Sequence, residues 1–278
     1  MKNIKQIFIF ICFLCSSYIK ANEMSSDKIT QAYRAFDKGD IPHAIQLLEE
    51  QAKEGNSDNA LYAMYYLGHL YWTGQYVAED SAKGMTWFEK AANSGSLEAL
   101  EYLAQTYQKG AGVNKDIDKA IYYYEKLVEV DVEYHRSAKT NIDLSYLYLK
   151  QEKGELAIRA LKRIDSVKGI SYWNEALVNL AKIYEQGLAG VSKNEKEAFH
   201  YYKLNYDWSL YLNNGYKSFP QYSFKLAEMY EKGIGTSKDI AQARKFYQLT
   251  IENIINDDNN LEWDDMLKQS HKALERLK

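Results

Sequence analysis

The sequence predicts an all-α fold, a right-handed superhelical solenoid built from consecutive helix pairs. Three observations support this prediction. A motif of Leu, a small residue, Tyr and Gly returns four times at fixed offsets along the 278-residue chain. An aromatic segment follows each copy at a similar distance, as a helix–turn–helix repeat requires. The chain holds only two prolines, so long helices can run without a break.

The first helix of each repeat is marked by a Tyr-x-x-Gly element. A Leu stands four residues before the Tyr, and a small residue follows that Leu. Leu and Tyr therefore share one helical face, and the small residue lets a neighbouring helix approach closely. The Gly is expected to end the helix, because Gly adopts a left-handed conformation at no steric cost. The four elements run from Tyr71 to Gly74, from Tyr107 to Gly110, from Tyr184 to Gly187 and from Tyr230 to Gly233.

The second helix of each repeat begins after a short polar residue that can cap free backbone N–H groups. These predicted caps are Asp80, Asp116, Asn194 and Asp239. A Gly or Ala follows four residues later, and a pair of aromatic residues comes next at a fixed offset. The aromatic pairs are Trp87–Phe88, Tyr123–Tyr124, Tyr201–Tyr202 and Phe246–Tyr247.

Residues 22–278 are predicted to form a single α-solenoid of about thirteen helices, ending in a capping helix at 262–277. The distance from Tyr184 to Tyr230 is 46 residues, against 36 from Tyr71 to Tyr107, so the third copy carries an insertion at 205–220. The predicted helix pairs cover residues 28–57, 60–95, 97–131, 137–169, 174–215 and 221–256.

Residues 1–21 have the pattern of a secretory signal peptide. Lys2 and Lys5 precede an apolar segment, and Ala21 offers a small residue for cleavage. The apolar segment is far shorter than the ~20 residues that span a bilayer. We therefore predict cleavage near Ala21 and a periplasmic or secreted protein. An uncleaved N-terminal anchor is the alternative.

The composition of the mature chain argues against several classes of function. Both cysteines, Cys12 and Cys15, lie in the signal segment, so no disulfide or thiol chemistry is expected. Cleavage lowers Lys and Arg from 35 to 32 against 38 Asp and Glu, a net charge of −6 without a basic stripe, which disfavours nucleic acid. No two histidines are spaced three or four residues apart, and no G-x-S-x-G occurs. We predict no catalytic residue, no metal site, no cofactor and no enzymatic activity.

The four repeats resemble Sel1-like repeats, which are relatives of the tetratricopeptide repeat. The resemblance rests on the A-x-x-x-L-G/A-x-x-Y-x-x-G helix, on the Gly-x-Gly loops at Gly110 and Gly233, and on the aromatic second helix. It covers roughly residues 60–130 and 174–255, and it departs at Gln75–Tyr76, where the second Gly of the loop is absent. Residues 32–53 and 138–164 are similar to plain tetratricopeptide units.

The resemblance implies that the first helices line a concave face that binds protein. Residues off the packed face of those helices are then candidates for partner contact: Tyr66, His69, Tyr102, Gln105, Asn179, Lys182, Lys225 and Glu228. The insertion is a second candidate, because Tyr and Trp are favoured in binding hot spots. Its candidate residues are Tyr206, Trp208, Tyr211 and Tyr216; the alternative is that these rings pack against the next helix pair.

We therefore predict an exported, non-enzymatic binding or adaptor protein that holds a protein partner on the concave face. It is expected to bind no nucleic acid and to have no transmembrane segment in the mature chain. The resemblance implies an alternative, a periplasmic immunity protein that neutralises a secreted antibacterial effector such as a phospholipase. A third hypothesis is an enzyme acting on cell-envelope compounds.

Overall fold

A computed structural model of the chain describes residues 27–131, 134–165, 172–212, 220–256 and 260–278. These ranges contain thirteen α-helices and no β-strand, which confirms the all-α prediction. Across the same ranges, no helix combines the length and the apolar character needed to cross a membrane.

The helices belong to two compact units, Met1–Val130 and Asp131–Lys278. The described part of the first unit holds α1 (Lys28–Asp37), α2 (Ile41–Gln51), α3 (Asp58–Thr73), α4 (Ser81–Asn93), α5 (Leu97–Lys109) and α6 (Ile117–Val130). The second unit holds α7 (Tyr134–Lys150), α8 (Gly154–Asp165), α9 (Trp173–Gln186), α10 (Glu195–Leu212), α11 (Pro220–Lys232), α12 (Ile240–Ile255) and α13 (Asp264–Arg276). Short 3₁₀ turns lie at Leu188–Gly190 and Asn260–Trp263.

Within each unit, every helix packs on the helix that follows it in the chain. The helices of a pair share the larger contact, as in α3 with α4 or α11 with α12, and the second helix of one pair packs on the first helix of the next. The last helix, α13, packs on α12. Contact between chain neighbours is the arrangement of an α-solenoid, in which each repeat is stabilised by the repeats beside it.

The predicted caps begin the second helices as expected. The side chain of Asp80 accepts a hydrogen bond from the N–H of Lys83 at 2.9 Å, and Asp239 accepts one from Gln242 at 2.9 Å. Asp116 and Asn194 accept equivalent bonds at 3.0 and 3.2 Å. The N–H of each cap also donates to the carbonyl of the repeat Tyr, at 2.8 to 2.9 Å. One residue therefore both starts the second helix and ties it to the last turn of the first.

The core of each repeat lies where the sequence pattern placed it. The four repeat leucines, Leu67, Leu103, Leu180 and Leu226, are fully buried. Ala104 beside Leu103 is also fully buried, which confirms the predicted register. The glycines after the repeat tyrosines have φ between 68° and 71°, in the left-handed region. Helix ends, caps and core leucines thus fix the two helices of a repeat against each other.

Candidate protein-binding surfaces

Five aromatic side chains of the first unit form a group that we call the tyrosine cluster. It consists of Tyr33 and Phe36 from α1, Tyr62 and Tyr66 from α3, and Tyr76 from the loop after α3. The Tyr66 ring lies 5.6 Å from Tyr33, 6.1 Å from Phe36 and 5.9 Å from Tyr62. The Tyr33 and Tyr62 hydroxyls are hydrogen-bonded to each other. The cluster therefore joins the first helices of two successive pairs into one aromatic surface.

Exposure differs sharply within the cluster. Tyr66 is only 8% exposed, because the rings of α1 and Tyr62 cover it. Tyr76 is 50% exposed, and its ring stacks on Phe36 at 4.6 Å. Tyr33 and Tyr62 are half-buried. A partner would meet Tyr33, Tyr62 and Tyr76, with Tyr66 beneath them as support.

His69 lies one turn beyond Tyr66 on α3 and is 8% exposed. Burial lowers the pKa of the His69 imidazole below its ordinary value, because the low-dielectric surroundings disfavour the charged form. His69 is therefore neutral at pH 7. Little of its surface is available to a partner.

Tyr102 and Gln105 lie on the neighbouring first helix, α5. The Tyr102 ring packs 4.3 Å from Phe88 and 6.4 Å from Trp72, so it helps to fill the space between successive helix pairs. Burial raises the pKa of the Tyr102 hydroxyl to about 12. Gln105 is half-buried, and its Nε2 donates to Glu101 Oε1 at 3.0 Å.

The first helices of the second unit present charged and amide side chains together with an exposed tyrosine, Tyr146. The Tyr146 hydroxyl of α7 donates to Glu175 Oε1 of α9 at 3.2 Å, which links two first helices across this surface. Asn179 is half-buried, and Lys182 is exposed. Two further candidates form ion pairs: Lys225 with Glu185, and Glu228 with Lys232 at 3.1 Å.

The described part of the insertion lengthens α10, which continues to Leu212. Tyr206 is 5% exposed, and its ring meets Phe246 of α12 at 5.1 Å. Trp208 meets Trp173 of α9 edge to face at 4.7 Å. Both rings therefore pack inside the second unit, which leaves less of their surface available to a partner. The Tyr211 side chain and all of Tyr216 lie outside what the structure describes.

Sequence reasoning missed a polar contact that recurs within the repeats. The second residue of the aromatic pair is a tyrosine in three repeats. Its hydroxyl donates a hydrogen bond to the side chain of the residue that follows the repeat Tyr. The three contacts are Tyr124 with Gln108, Tyr202 with Glu185 and Tyr247 with Glu231, each at 2.8 Å. In the first repeat these positions hold Phe88 and Trp72, whose rings meet at 6.4 Å. A comparison of the repeats with one another could have detected this paired exchange.

The tyrosine cluster also went unrecognised, apart from Tyr66. The sequence feature that could have indicated it is Gln75–Tyr76, where the loop lacks the second glycine of the Gly-x-Gly pattern. Among the residues that the structure describes, no three His, Cys, Asp or Glu side chains are grouped so as to hold a metal ion. The described surfaces are suited to non-covalent contact through rings, amides and charged groups.

Stacked helix pairs with an accessible face of first helices define a helical-repeat scaffold. A family model described as Sel1 repeat matches residues 61–96, 97–129, 174–204 and 220–253. The chain therefore belongs to the Sel1-repeat proteins, whose repeats mediate protein–protein interaction and form a scaffold that is typically non-enzymatic.

The chain also matches solved structures of Sel1-repeat proteins. The chain is 21% identical to a Sel1 repeat protein from Oxalobacter formigenes, with a TM-score of 0.48 over 87% of this chain and 99% of the other. It is 23% identical to c5321, a protective antigen of uropathogenic Escherichia coli with an SLR fold, with a TM-score of 0.46 over 90% of this chain and 51% of c5321. No curated protein matches the chain.

Proposed function

We propose that this protein is an exported, non-enzymatic adaptor that holds a protein partner on its first helices. The observation that carries the proposal is the tyrosine cluster. Tyr33 and Tyr62 lie against a buried ring, Tyr66, and Tyr76 stacks on Phe36, which also contacts Tyr66. Tyrosine is enriched in binding hot spots, because it buries a large area with few rotatable bonds and also offers a hydroxyl.

Phe36 and Tyr66 of the cluster belong to the buried core, but Tyr76 does not. Fully buried leucines and small residues already hold the helices of a pair together. Tyr76 lies in a loop and leaves half of its surface in solvent. An exposed ring gains nothing from water, so contact with a partner gives a reason for its presence.

The charged first helices of the second unit supply a different kind of contact. Lys182 is exposed, and Glu228 is half-buried beside Lys232. Charged groups of this kind contribute to specificity and to the rate of association more than to affinity. We therefore assign the main anchor to the tyrosine cluster and describe Lys182 and Glu228 as a separate charged surface of the second unit.

Export is part of the proposal and rests on the sequence of residues 1–21. A positively charged start, an apolar segment and Ala21 support cleavage and a periplasmic or secreted location. The intact mass of the protein from its native cell should correspond to a chain that begins close to Asn22. A soluble cytosolic protein that retains Met1 would contradict this part of the proposal.

Site-specific photo-crosslinking in the native cell tests the binding role. A photoreactive phenylalanine would replace Tyr62, Tyr76 or Lys182 in the full chain, and the control position is Tyr122, which is 47% exposed on the second helix α6. We expect discrete adducts from the three test positions and none from Tyr122. Equal adducts at all four positions, or none at any, would refute the assignment.

The identity of the crosslinked protein separates the adaptor role from its alternative. An immunity protein would capture an antibacterial effector, such as a phospholipase, that becomes toxic in cells lacking this chain. An adaptor would capture a resident protein whose loss causes no such toxicity. Co-production of the captured protein with and without this chain distinguishes the two.

A further inference from the structure

Tyr76 occupies a position that belongs to glycine in two other repeats. Gly112 and Gly235 stand at the equivalent place in their loops, with φ of 80° and 69°. Tyr76 adopts the same left-handed conformation, with φ of 66°. This conformation is unfavourable for any residue with a Cβ atom and costs glycine nothing. The first Sel1 repeat therefore has a tyrosine in a strained backbone conformation that glycine would adopt without strain.

Gly112 and Gly235 allow their loops to approach the preceding helix pair closely. Tyr76 makes a different kind of contact. A Cβ on Gly112 would lie 2.5 Å from the Trp72 ring, and one on Gly235 would lie 2.0 Å from the carbonyl oxygen of Glu195. Those two loops press directly on the preceding helix pair. The loop of Tyr76 contacts its preceding pair through a ring that stacks on Phe36 and stays half exposed. Backbone strain held at an exposed side chain is characteristic of functional sites.

The segment that carries Tyr62, Tyr66 and Tyr76 has acidic residues near its two ends and lies between Lys53 and Lys83. Residues 54–82 include four acidic residues and no Lys or Arg. His69 in the same segment is neutral, because burial lowers its pKa. Asp80 is engaged in its cap and Glu54 pairs with Lys28, so the remaining exposed carboxylates of the segment are Asp58, four residues before Tyr62, and Glu79, three residues after Tyr76. The neighbouring α1 is mixed in charge, so the acidic character belongs to α3 and its loop.

We propose that the tyrosine cluster binds a Lys- or Arg-bearing segment of the protein partner, with Tyr76 as its anchor. The inference rests on the proposed function and names the chemistry of the partner. A cationic side chain is attracted to the face of an aromatic ring, and the pairing is stronger where the ring is shielded from water. Asp58 and Glu79, close in the chain to the half-buried Tyr62 and the exposed Tyr76, supply complementary charge.

Binding of synthetic peptides to the purified protein tests this inference. The probe is a twelve-residue peptide of alternating Arg and Gly or Ser, and its matched controls carry Glu or Gln in place of Arg. Isothermal titration would compare the wild-type chain with Tyr76→Gly and with the control Tyr122→Ala. We expect the Arg peptide to bind the wild type and Tyr122→Ala equally and the Glu peptide to bind neither. Tyr76→Gly should weaken the Arg peptide at least tenfold.

A thermal melt of the same variants separates binding from packing. Tyr76→Gly removes the strain and should leave the melting temperature unchanged or raise it. A clear fall would show that the ring serves the fold and would overturn the inference. Unchanged binding in Tyr76→Gly, equal binding of the Arg and Glu peptides, or no binding of the Arg peptide would each overturn it as well. The crosslinks from Tyr62 and Lys182 would persist in those cases, so the proposed function would stand by itself.

Discussion

The helix pairs α3/α4 and α9/α10 are copies of one repeat whose helices are joined by different chemistry. In α9/α10, the Tyr202 hydroxyl donates to Glu185 at 2.8 Å, and Lys225 from the next pair reaches the same carboxylate. In α3/α4, the equivalent positions hold Phe88 and Trp72, which meet ring to ring. The repeat therefore accepts a polar or an aromatic contact at this place, provided that both partners change together.

The physical reason is that one polar residue facing one aromatic residue would form neither the hydrogen bond nor the ring contact. A carboxylate facing Phe88 would lose its hydroxyl donor, and a tyrosine facing Trp72 would have no acceptor there. The larger rings also need space, and the small positions of α3/α4 are Gly68 and Gly84 where α9/α10 has alanines. A Cβ on Gly68 would lie 2.7 Å from the Phe88 ring. The two pairs therefore differ together at four positions, which in α3/α4 are Gly68, Trp72, Gly84 and Phe88.

The largest expected effect concerns what all four repeats share, a buried repeat leucine. Leu103→Ala should lower the free energy of unfolding by ~2–5 kcal/mol, because a fully buried side chain leaves a cavity. Urea denaturation followed by circular dichroism measures this change. A loss below ~0.5 kcal/mol would mean that the register of the repeats is misassigned.

Gly84→Ala tests whether α3/α4 depends on close contact. A Cβ there would lie 2.9 Å from the backbone nitrogen of Trp72, so we expect a loss of ~1–3 kcal/mol from overpacking. Helix propensity alone predicts the opposite sign, a gain of ~1 kcal/mol for Ala over Gly. The matched control is Ala198→Gly in α10, which should cost ~0.5–1 kcal/mol through backbone entropy. A stabilised Gly84→Ala chain would remove the close-contact explanation.

Tyr202→Phe tests the polar contact of α9/α10. The variant keeps the ring and removes the hydroxyl bonded to Glu185, so a loss of ~1–2 kcal/mol is expected for a bond to a partly solvated charged group. A double-mutant cycle with Glu185→Gln isolates the interaction. Strictly additive losses in the two single variants would show that the hydroxyl and the carboxylate do not stabilise each other.

The smallest effect appears only in alkaline solution, at Tyr102. Its pKa is raised to about 12 in the folded chain, against about 10 for an unfolded tyrosine. The neutral form is thus favoured in the fold, and the contribution of Tyr102 to stability is fully present below pH ~10 and is lost as the pH rises towards ~12. The stability of Tyr102→Phe should fall less steeply over that range. Parallel pH profiles for the two chains would contradict the assignment.

The repeat framework was predictable because it depends on local chemistry at fixed offsets. Asp80 caps its helix through its own side chain, and Leu103 is buried because its helical face is apolar. The tyrosine cluster was not predictable in the same way. It requires rings from α1, α3 and a loop to meet, and the size of those neighbours decides that Tyr66 is covered while Tyr76 remains exposed.

The candidate contact residues were taken from repeat positions, which carry no information about neighbouring side chains. Tyr66 and His69 were chosen because they lie off the packed face of α3, and both are nevertheless largely buried. Lys182 occupies a similar position on α9 and is exposed. Partner contact, signal cleavage and a single domain over residues 22–278 stay predictions.

The loop contact at the second glycine position has a consequence for how such a chain can grow. Gly112 fits against Trp72 of the preceding pair, whereas Tyr76 fits against Phe36. A tandem duplication of residues 97–130 would place the copied Gly112 against Gln108 rather than an indole, and a space would open between the two copies. Gene duplication therefore yields a stable array only if the loop and the residue it meets are later adjusted as a pair. The repeats have become specific to their order, and exchanging two of them should be more damaging than deleting one from the end.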